Sequence, residues 1–187
     1  FEILDSKVSL GFVRSIEISD IIGRTEVTVD IKSISDFLRG KHILVTGAGG
    51  SIGSEICRQV AAAGPARLYL LGRGENSIFE IKNELAERFP NLQFSEIICD
   101  ITDEQRLVHI FSRRHFDLIF HAAAHKHVPL MENNPSEAFR VNTLGTYHIA
   151  NLASTRGIAL VMISTDKAIR PSSVTVSYTH LTLPTIY

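Results

Sequence analysis

A glycine-rich sequence, Thr46-Gly47-Ala48-Gly49-Gly50-Ser51-Ile52-Gly53, contains the residues best suited to hold a charged ligand. It lies between a short apolar segment and a segment with apolar residues at helical spacing. Glycines in such a turn let the backbone approach a pyrophosphate, and the first N–H groups of the helix bind its negative charge. The pattern predicts a dinucleotide site rather than an ordinary glycine-rich turn. Its predicted contacts are Gly47, Gly49, Gly50, Ser51, Ile52 and Gly53.

The residues after the second and third predicted strands bear on which dinucleotide binds. About 20 residues beyond the last motif glycine, where an NAD enzyme usually has an acid for the ribose hydroxyls, the chain has Arg73. A guanidinium can pair with a 2′-phosphate, so the sequence favours NADP, with NAD as the alternative. Arg73 can equally be a solvated loop charge, and Glu75 can reach back towards the ribose. Asp100, followed by Ile101, can accept a hydrogen bond from an adenine amino group or serve as a loop acid.

Small side chains follow the fourth predicted strand. Ala122, Ala123 and Ala124 permit close approach of a nicotinamide and its ribose at the carboxyl end of the sheet, where ligands bind in this architecture. Three histidines between residues 121 and 127 raise the alternative of a metal site. No cysteine or carboxylate completes that set of ligands, so we predict no metal.

Thr165-Asp166-Lys167 follows the fifth predicted strand and leads into the same crevice. A carboxylic acid beside an amine can supply an acid and a base, provided that burial and mutual charge move both pKa values towards neutrality. Taken alone, adjacent Asp and Lys at the end of a strand are more often an exposed turn. The catalytic interpretation therefore depends on the motifs around the pair.

Strand-like and helix-like segments alternate from residue 41 onward. Repeated βα units of this kind predict a doubly wound α/β fold with a parallel sheet in the order 3-2-1-4-5 and every motif at its carboxyl edge. Strands are predicted over residues 42–46, 67–71, 93–98, 118–121 and 159–164. Helices are predicted over residues 52–63, 75–88, 103–113 and 135–155, the last capped by Asn134.

The composition excludes several classes of partner. The 187 residues carry 19 Lys plus Arg and 20 Asp plus Glu, a net charge of −1, so nothing favours binding to nucleic acid. Cys57 and Cys99 lie in apolar segments without a CxxC spacing, and we interpret both as reduced core thiols. No apolar run approaches the roughly 20 residues of a membrane span, so we expect the chain itself to be soluble.

The chain divides into three parts by its sequence. We assign residues 1–40 to a lead-in segment and the end of an upstream domain, and residues 41–174 to a partial NAD(P)-binding Rossmann domain, incomplete at its C-terminal side. Residues 175–187 resemble a translated sequencing adapter, so we expect a non-native tail there.

Five motifs, taken together, resemble the polysaccharide-biosynthesis, or CapD-like, branch of the extended short-chain dehydrogenase/reductase superfamily. The motifs occupy residues 47–55, 74–81, 121–135, 141–146 and 164–171. This branch includes UDP-N-acetylglucosamine 4,6-dehydratases, so the resemblance implies a redox-neutral nucleotide-sugar dehydratase. A C4 or C5 epimerase of the same branch and a non-catalytic NAD(P)-binding module are the alternatives.

The resemblance also implies roles for individual residues. In the dehydratases, hydride leaves sugar C4 for the nicotinamide and later returns to C6. The residue matching Lys167 removes the C5 proton, the one matching Asp166 protonates the departing C6 hydroxyl, and Thr165 holds the 4-hydroxyl. Asn142 would anchor its helix and a proton-relay water as part of the cofactor site. Lys126 and His127 would lie near the substrate.

The chain departs from the family at one catalytic motif. The Tyr-x-x-x-Lys or Met-x-x-x-Lys expected near residue 175 is absent, and Tyr178 is followed four positions later by Thr182. We therefore expect this chain to be inactive by itself. The resemblance implies a bacterial parent protein that is anchored at the cytoplasmic side of the inner membrane and forms a homo-oligomer.

Overall fold

Five short strands form one parallel sheet. The computed structural model describes residues 30–165 and 173–175. Its strands are β1 (His42–Thr46), β2 (Arg67–Gly72), β3 (Gln93–Ile98), β4 (Leu118–His121) and β5 (Ala159–Met162). They pair in the order β3-β2-β1-β4-β5, each parallel to its neighbours. The predicted doubly wound α/β fold and the predicted strand order are confirmed.

Helices connect the strands and cover both faces of the sheet. They are α1 (Ile31–Leu38), α2 (Ser51–Ala62), α3 (Glu75–Arg88), α4 (Glu104–Arg113), α5 (Val128–Glu132), α6 (Pro135–Ala138) and α7 (Thr146–Thr155). A π-helix, Phe139–Gly145, joins α6 to α7. Within the part of the chain that the structure describes, no helix has both the length and the apolar character to cross a bilayer.

Two apolar clusters hold the layers together, because successive strand side chains point to opposite faces of the sheet. On one face, Leu44 and Ile119 pack with residues of α4 and α7. On the other face, Ile43 and Val45 pack with residues of α2 and α3. Cys57 belongs to the second cluster, and burial raises the pKa of its thiol to about 12, so the thiol stays protonated. Both layers thus fix the strands whose carboxyl ends carry the motifs.

The apolar spacing of Ile52, Ile56 and Val60 predicts one inward face of α2, and Ile52 departs from it: Val60 is buried and Ile56 packs against the second cluster. Ile52, placed by its spacing on the inward face, is 54% exposed, and the buried residues include Gly53, Cys57 and Val60. A Cβ at Gly53 would lie 2.0 Å from the Gly47 carbonyl oxygen, so the backbone of the glycine turn occupies the space beside this position. Because Gly53 faces inward, the neighbouring Ile52 is turned about 100° away from the sheet.

The helix predicted over residues 135–155 is present but is not a continuous α-helix. Its middle section is the π-helix, which adds a residue to each turn. Asn134 stands at the predicted N-cap position, yet its side chain donates to the Leu130 carbonyl oxygen at 2.8 Å instead of capping the helix. The fifth strand is shorter than predicted and ends at Met162.

Candidate functional site

The glycine turn is closed by contacts that leave no room for side chains. Gly47 has a φ of 69°, which favours glycine, and a Cβ there would lie 2.7 Å from the Ala122 carbonyl oxygen. The Gly50 N–H donates to the Gly47 carbonyl oxygen at 2.9 Å. The turn therefore brings the start of α2 directly against the end of β4.

The first turn of α2 is suited to an anion. Gly50 is at the N-cap, and within the described residues it makes no side-chain capping bond. The first N–H groups of an α-helix have no acceptor within the helix, and the helix dipole places partial positive charge there. These donors can bind an anion, because no capping side chain is bonded to them.

A first cavity of about 300 Å³ extends from the glycine turn along the carboxyl ends of the strands. Its lining comes from the loops after β1, β2, β3 and β4, so four sequence-distant motifs meet in it. Predicted cofactor residues in the lining are Gly47, Gly49, Gly50, Arg73, Asp100, Ile101, Ala122, Ala123 and Ala124. Val141 of the π-helix also lines it. An elongated ligand is needed to contact all of these loops.

Asp100 is held in place at one end of this cavity. Its Oδ1 accepts from the Thr102 N–H at 2.9 Å and from the Thr102 hydroxyl at 2.8 Å. Burial raises the pKa of the Asp100 carboxyl, but the Thr102 hydrogen bonds and the charges of Arg140 and Arg73 outweigh this and hold the pKa below its ordinary value. The carboxylate is thus ionised and can accept from a ligand amino group.

Glu137 is a charged residue at this end that sequence reasoning missed. It belongs to α6, and its Oε1 lies 3.5 Å from Arg73 Nη1. Its Oε2 also accepts from Arg140 Nε at 2.9 Å, and this hydrogen bond lowers the pKa of Glu137. A residue 64 positions from its partner carries no local signal of the contact.

A second cavity, of about 250 Å³, adjoins the first. Ala122, Ala123, Ala124 and His125 line both cavities, so the two cavities meet at the loop that follows β4. Ile52, Lys126 and Thr165 line the second cavity. The Lys126 ammonium also donates to the Ser51 hydroxyl at 3.3 Å, which links this loop to the first turn of α2.

Four of the predicted site residues that the structure describes are not in these linings: Ser51, Gly53, His127 and Asn142. Gly53 packs against the glycine turn, as described above. His127 is exposed at the N-cap position of α5. Asp166 and Lys167 lie outside the described residues, between Thr165 and the described segment 173–175.

Asn142 fixes the loop between the two cavities. Its side chain is fully buried in the π-helix, and its Oδ1 accepts from the His125 N–H at 2.8 Å. Its Nδ2 donates to the His125 carbonyl oxygen at 3.0 Å and to the Thr175 carbonyl oxygen at 2.7 Å. One side chain thus pairs with both backbone groups of His125, as a neighbouring strand would, and ties them to residues 173–175.

His121 is enclosed at the end of β4. Its Nδ1 lies 2.7 Å from the Thr46 hydroxyl and its Nε2 lies 3.0 Å from the Thr146 hydroxyl. Burial lowers the pKa of the imidazole to about 4, so the ring is neutral at physiological pH. Among residues 30–165 and 173–175, no group of three or more His, Cys, Asp and Glu side chains is arranged to hold a metal ion.

Comparisons with known proteins place these features in a wider context. Residues 43–181 match the family described as polysaccharide biosynthesis protein. The chain is 46% identical over 175 residues to the capsular polysaccharide biosynthesis protein CapD of Staphylococcus aureus, covering 92% of this chain and 29% of that protein. It is 32% identical over 134 residues to a UDP-N-acetylglucosamine 4,6-dehydratase (inverting) of Campylobacter jejuni, covering 71% of this chain and 38% of that protein. The chain thus spans about a third of the length of these relatives.

Solved structures show the same fold. The structure of Pen from Bacillus thuringiensis has a TM-score of 0.68 and 30% identity, covering 76% of this chain and 44% of that chain. A UDP-glucose-4-epimerase from Stenotrophomonas maltophila, whose structure contains bound NAD and formylated UDP-arabinopyranose, has a TM-score of 0.65 and 20% identity. It covers 74% of this chain and 45% of that chain, and at this identity it shows the fold alone.

Proposed function

The chain belongs to the polysaccharide biosynthesis protein family, and on that premise we propose that it is the cofactor-binding part of an NAD(P)-dependent nucleotide-sugar 4,6-dehydratase. The substrate class is UDP-N-acetylglucosamine or a close analogue, used in bacterial surface polysaccharide synthesis. The likeness to the Campylobacter jejuni dehydratase supports this reaction. The full-length protein is proposed to be a homo-oligomer anchored at the cytoplasmic side of the membrane.

The adjoining cavities carry the proposal. A dinucleotide along the first cavity would be held by the glycine turn at its pyrophosphate, and the alanines that both cavities share would lie beside its reactive end. A sugar in the second cavity then lies beside Thr165 and Lys126. Short alanine side chains allow the two ligands to approach each other, as hydride transfer requires.

The residues of the first cavity fit a nicotinamide dinucleotide. The glycine turn and the first turn of α2 would hold the pyrophosphate, Asp100 would accept from the adenine amino group, and Arg73 would pair with the 2′-phosphate of NADP. The cofactor supplies a reversible hydride acceptor. Asn142 contributes indirectly, because it fixes the backbone of the loop that separates cofactor from substrate.

The elimination would be carried out by three neighbouring residues. Thr165 would hold the 4-hydroxyl of the sugar, which orients C4 towards the alanines. Once C4 is a ketone, the C5 proton is acidic, and Lys167 would remove it while Asp166 gives a proton to the departing C6 hydroxyl. In the elimination, the C5–H and C6–O bonds break, a C5=C6 double bond forms and water leaves. The hydride taken from C4 would then be returned to C6 while C5 gains a proton, so the overall reaction is redox-neutral.

Incubating the full-length protein with UDP-N-acetylglucosamine tests the proposal. A 4-keto-6-deoxy nucleotide sugar is the expected product, since hydride returns to C6 after loss of water. An isomeric sugar without loss of water would identify a C4 or C5 epimerase instead. A full-length protein that binds the dinucleotide but converts no nucleotide sugar would identify a binding module. The 187-residue chain, which has no Tyr-x-x-x-Lys or Met-x-x-x-Lys after Pro171, is expected to bind cofactor without turnover.

A further inference from the structure

We propose that Glu137 sets the preference between NADP and NAD by competing with the ribose 2′-phosphate for Arg73. This inference rests on the proposed function, because it presupposes that a dinucleotide occupies the first cavity. It concerns a residue of α6, which lies outside the segments that usually read the ribose in this architecture.

Arg73 is already engaged by carboxylates at the edge of the cavity. Its Nη1 lies 3.5 Å from Glu137 Oε1 and 3.9 Å from Asp100 Oδ2. The guanidinium itself is 59% exposed and lines the cavity, so a ligand can reach it. A 2′-phosphate that pairs with Arg73 must therefore either displace the closer carboxylate, Glu137, or share the guanidinium with it.

Glu137 is oriented towards Arg73 by a second guanidinium. Arg140 of the π-helix donates to Glu137 Oε2 from Nε at 2.9 Å and to Oε1 from Nη2 at 3.2 Å, a two-point contact that fixes the plane of the carboxylate. Arg140 is itself held by the Thr102 hydroxyl and lies 3.6 Å from Asp100 Oδ2. Glu137 therefore cannot turn away from Arg73 without losing this contact.

The charges of the cluster explain the direction of the effect. Arg73 and Arg140 contribute two positive charges, and Asp100 and Glu137 contribute two negative ones, so an incoming phosphate dianion meets four side chains whose formal charges cancel. His125 Nε2 also lies 3.5 Å from Glu137 Oε1. Replacing Glu137 by Gln leaves one net positive charge, which attracts the phosphate. The neutral 2′-hydroxyl of NAD gains nothing from this change.

Two adenine nucleotides isolate the contribution of the 2′-phosphate. Isothermal titration calorimetry of the 187-residue chain would compare adenosine 5′-monophosphate with adenosine 2′,5′-bisphosphate at low and high ionic strength. For Glu137→Gln, we expect the bisphosphate to bind about twofold to fivefold more tightly, the range of one exposed ion pair. The monophosphate should bind as before, and the gain should shrink with salt.

Two further variants serve as controls. Glu87→Gln makes the same change of charge at an exposed position of α3, about 18 Å along the helix from its first turn, and should leave the affinity ratio unchanged. In an Arg73→Ala background, Glu137→Gln should lose most of its effect, because the competition requires Arg73. Circular dichroism and thermal unfolding would verify that each variant is folded.

The outcomes separate this inference from the function on which it rests. If the unchanged chain binds neither nucleotide, the cofactor assignment fails and this inference fails with it. If both nucleotides bind but Glu137→Gln leaves their ratio unchanged, or weakens the monophosphate, only the role of Glu137 is overturned. The role of Glu137 would also be overturned if Glu137→Gln strengthened binding of the bisphosphate by the same factor in the Arg73→Ala background.

Discussion

Arg73 is the residue on which the proposed preference for NADP depends. In Arg73→Ala, we expect the affinity for NADP to fall by about 1 kcal/mol relative to NAD, because the side chain is more than half exposed and its contact with phosphate is screened by solvent. Titration of both dinucleotides into the chain measures this difference. Arg113→Ala, at the far edge of the sheet, is the control for a lost positive charge. Equal affinities for both dinucleotides in the unchanged chain would count against the assignment.

Asp166 and Lys167 are proposed to divide the proton transfers of the elimination. In the full-length protein, Lys167→Ala should abolish exchange of the C5 hydrogen with solvent, because the base is gone. Asp166→Asn should slow loss of the C6 hydroxyl and leave the first hydride transfer largely intact. Deuterium incorporation at C5 in heavy water, followed by mass spectrometry, distinguishes the two defects.

Binding roles for this pair would give a different result. If Lys167 only held the ribose and Asp166 were a turn residue, both variants would raise KM with little change in kcat. Normal deuterium incorporation by the Lys167→Ala protein would remove Lys167 from the role of base.

The turn between β1 and α2 is the element most sensitive to substitution. In Gly53→Ala, the added Cβ would lie 2.0 Å from the Gly47 carbonyl oxygen, so the turn or the helix must move. We expect a loss of about 1 to 3 kcal/mol in the free energy of unfolding, as for overpacking, together with loss of dinucleotide binding. Chemical denaturation and calorimetric titration measure the two effects.

Gly64→Ala is the matched control for this prediction. Gly64 has a φ of 72°, so alanine there is strained, but a Cβ would meet no atom within 4 Å. It should cost about 1 kcal/mol of stability and leave binding intact. Dinucleotide binding by Gly53→Ala equal to that of the unchanged chain would contradict the assigned role of the turn.

The strands and most helices were predictable because burial on both sides imposes a strong pattern. The inner strands β1 and β4 are short apolar runs and have the predicted bounds. The edge strand β3 also has the predicted bounds, although it contains Gln93, Ser95 and Glu96. The same pattern predicted that the motifs meet at one edge. The first cavity confirms that meeting for the loops after the first four strands.

The features that sequence did not predict are decided by contacts between distant segments. Nothing in residues 139–145 distinguishes a π-helix from an α-helix. The wider turn accompanies the pairing of Asn142 with His125 and the close packing of Gly145 against Ile101. Glu137 reaches Arg73 only because α6 returns across the carboxyl edge of the sheet. Contacts between distant segments leave no periodic pattern in the sequence, so they cannot be predicted from hydrophobic spacing.

At the scale of the whole molecule, the site requires that α7 stay packed against the ends of β1 and β4. Thr46 ends β1, His121 ends β4 and Thr146 begins α7, and hydrogen bonds through the imidazole join all three. The loop with the shared alanines begins directly after His121. Separation of these elements would therefore change both cavities at once.

His121 makes this junction sensitive to acid. The imidazole has its ordinary pKa of about 6.5 in the unfolded chain and about 4 in the folded one, where burial disfavours the charged form. Between these values the unfolded chain binds the proton and the folded chain does not, so the free energy of unfolding falls as the pH falls. The expected loss relative to pH 7.5 is about 1 kcal/mol at pH 5.5 and about 2 to 3 kcal/mol at pH 4.5. Urea denaturation at pH 7.5, 5.5 and 4.5 would measure it.

Carboxylates titrate over part of the same range, so the contribution of His121 must be taken as a difference between proteins. His121→Gln keeps a donor and an acceptor but cannot be protonated in this range. It should be less stable than the unchanged chain at pH 7.5, because the amide does not reproduce the ring packing, and this deficit should shrink as the pH falls.

His109→Gln, at an exposed position of α4, is the control and should show the same pH dependence of stability as the unchanged chain. If the free energy of unfolding of the unchanged chain and of His121→Gln fell by the same amount with pH, acid would be acting on groups other than His121. In that case protonation of His121 does not cause the loss of stability at low pH.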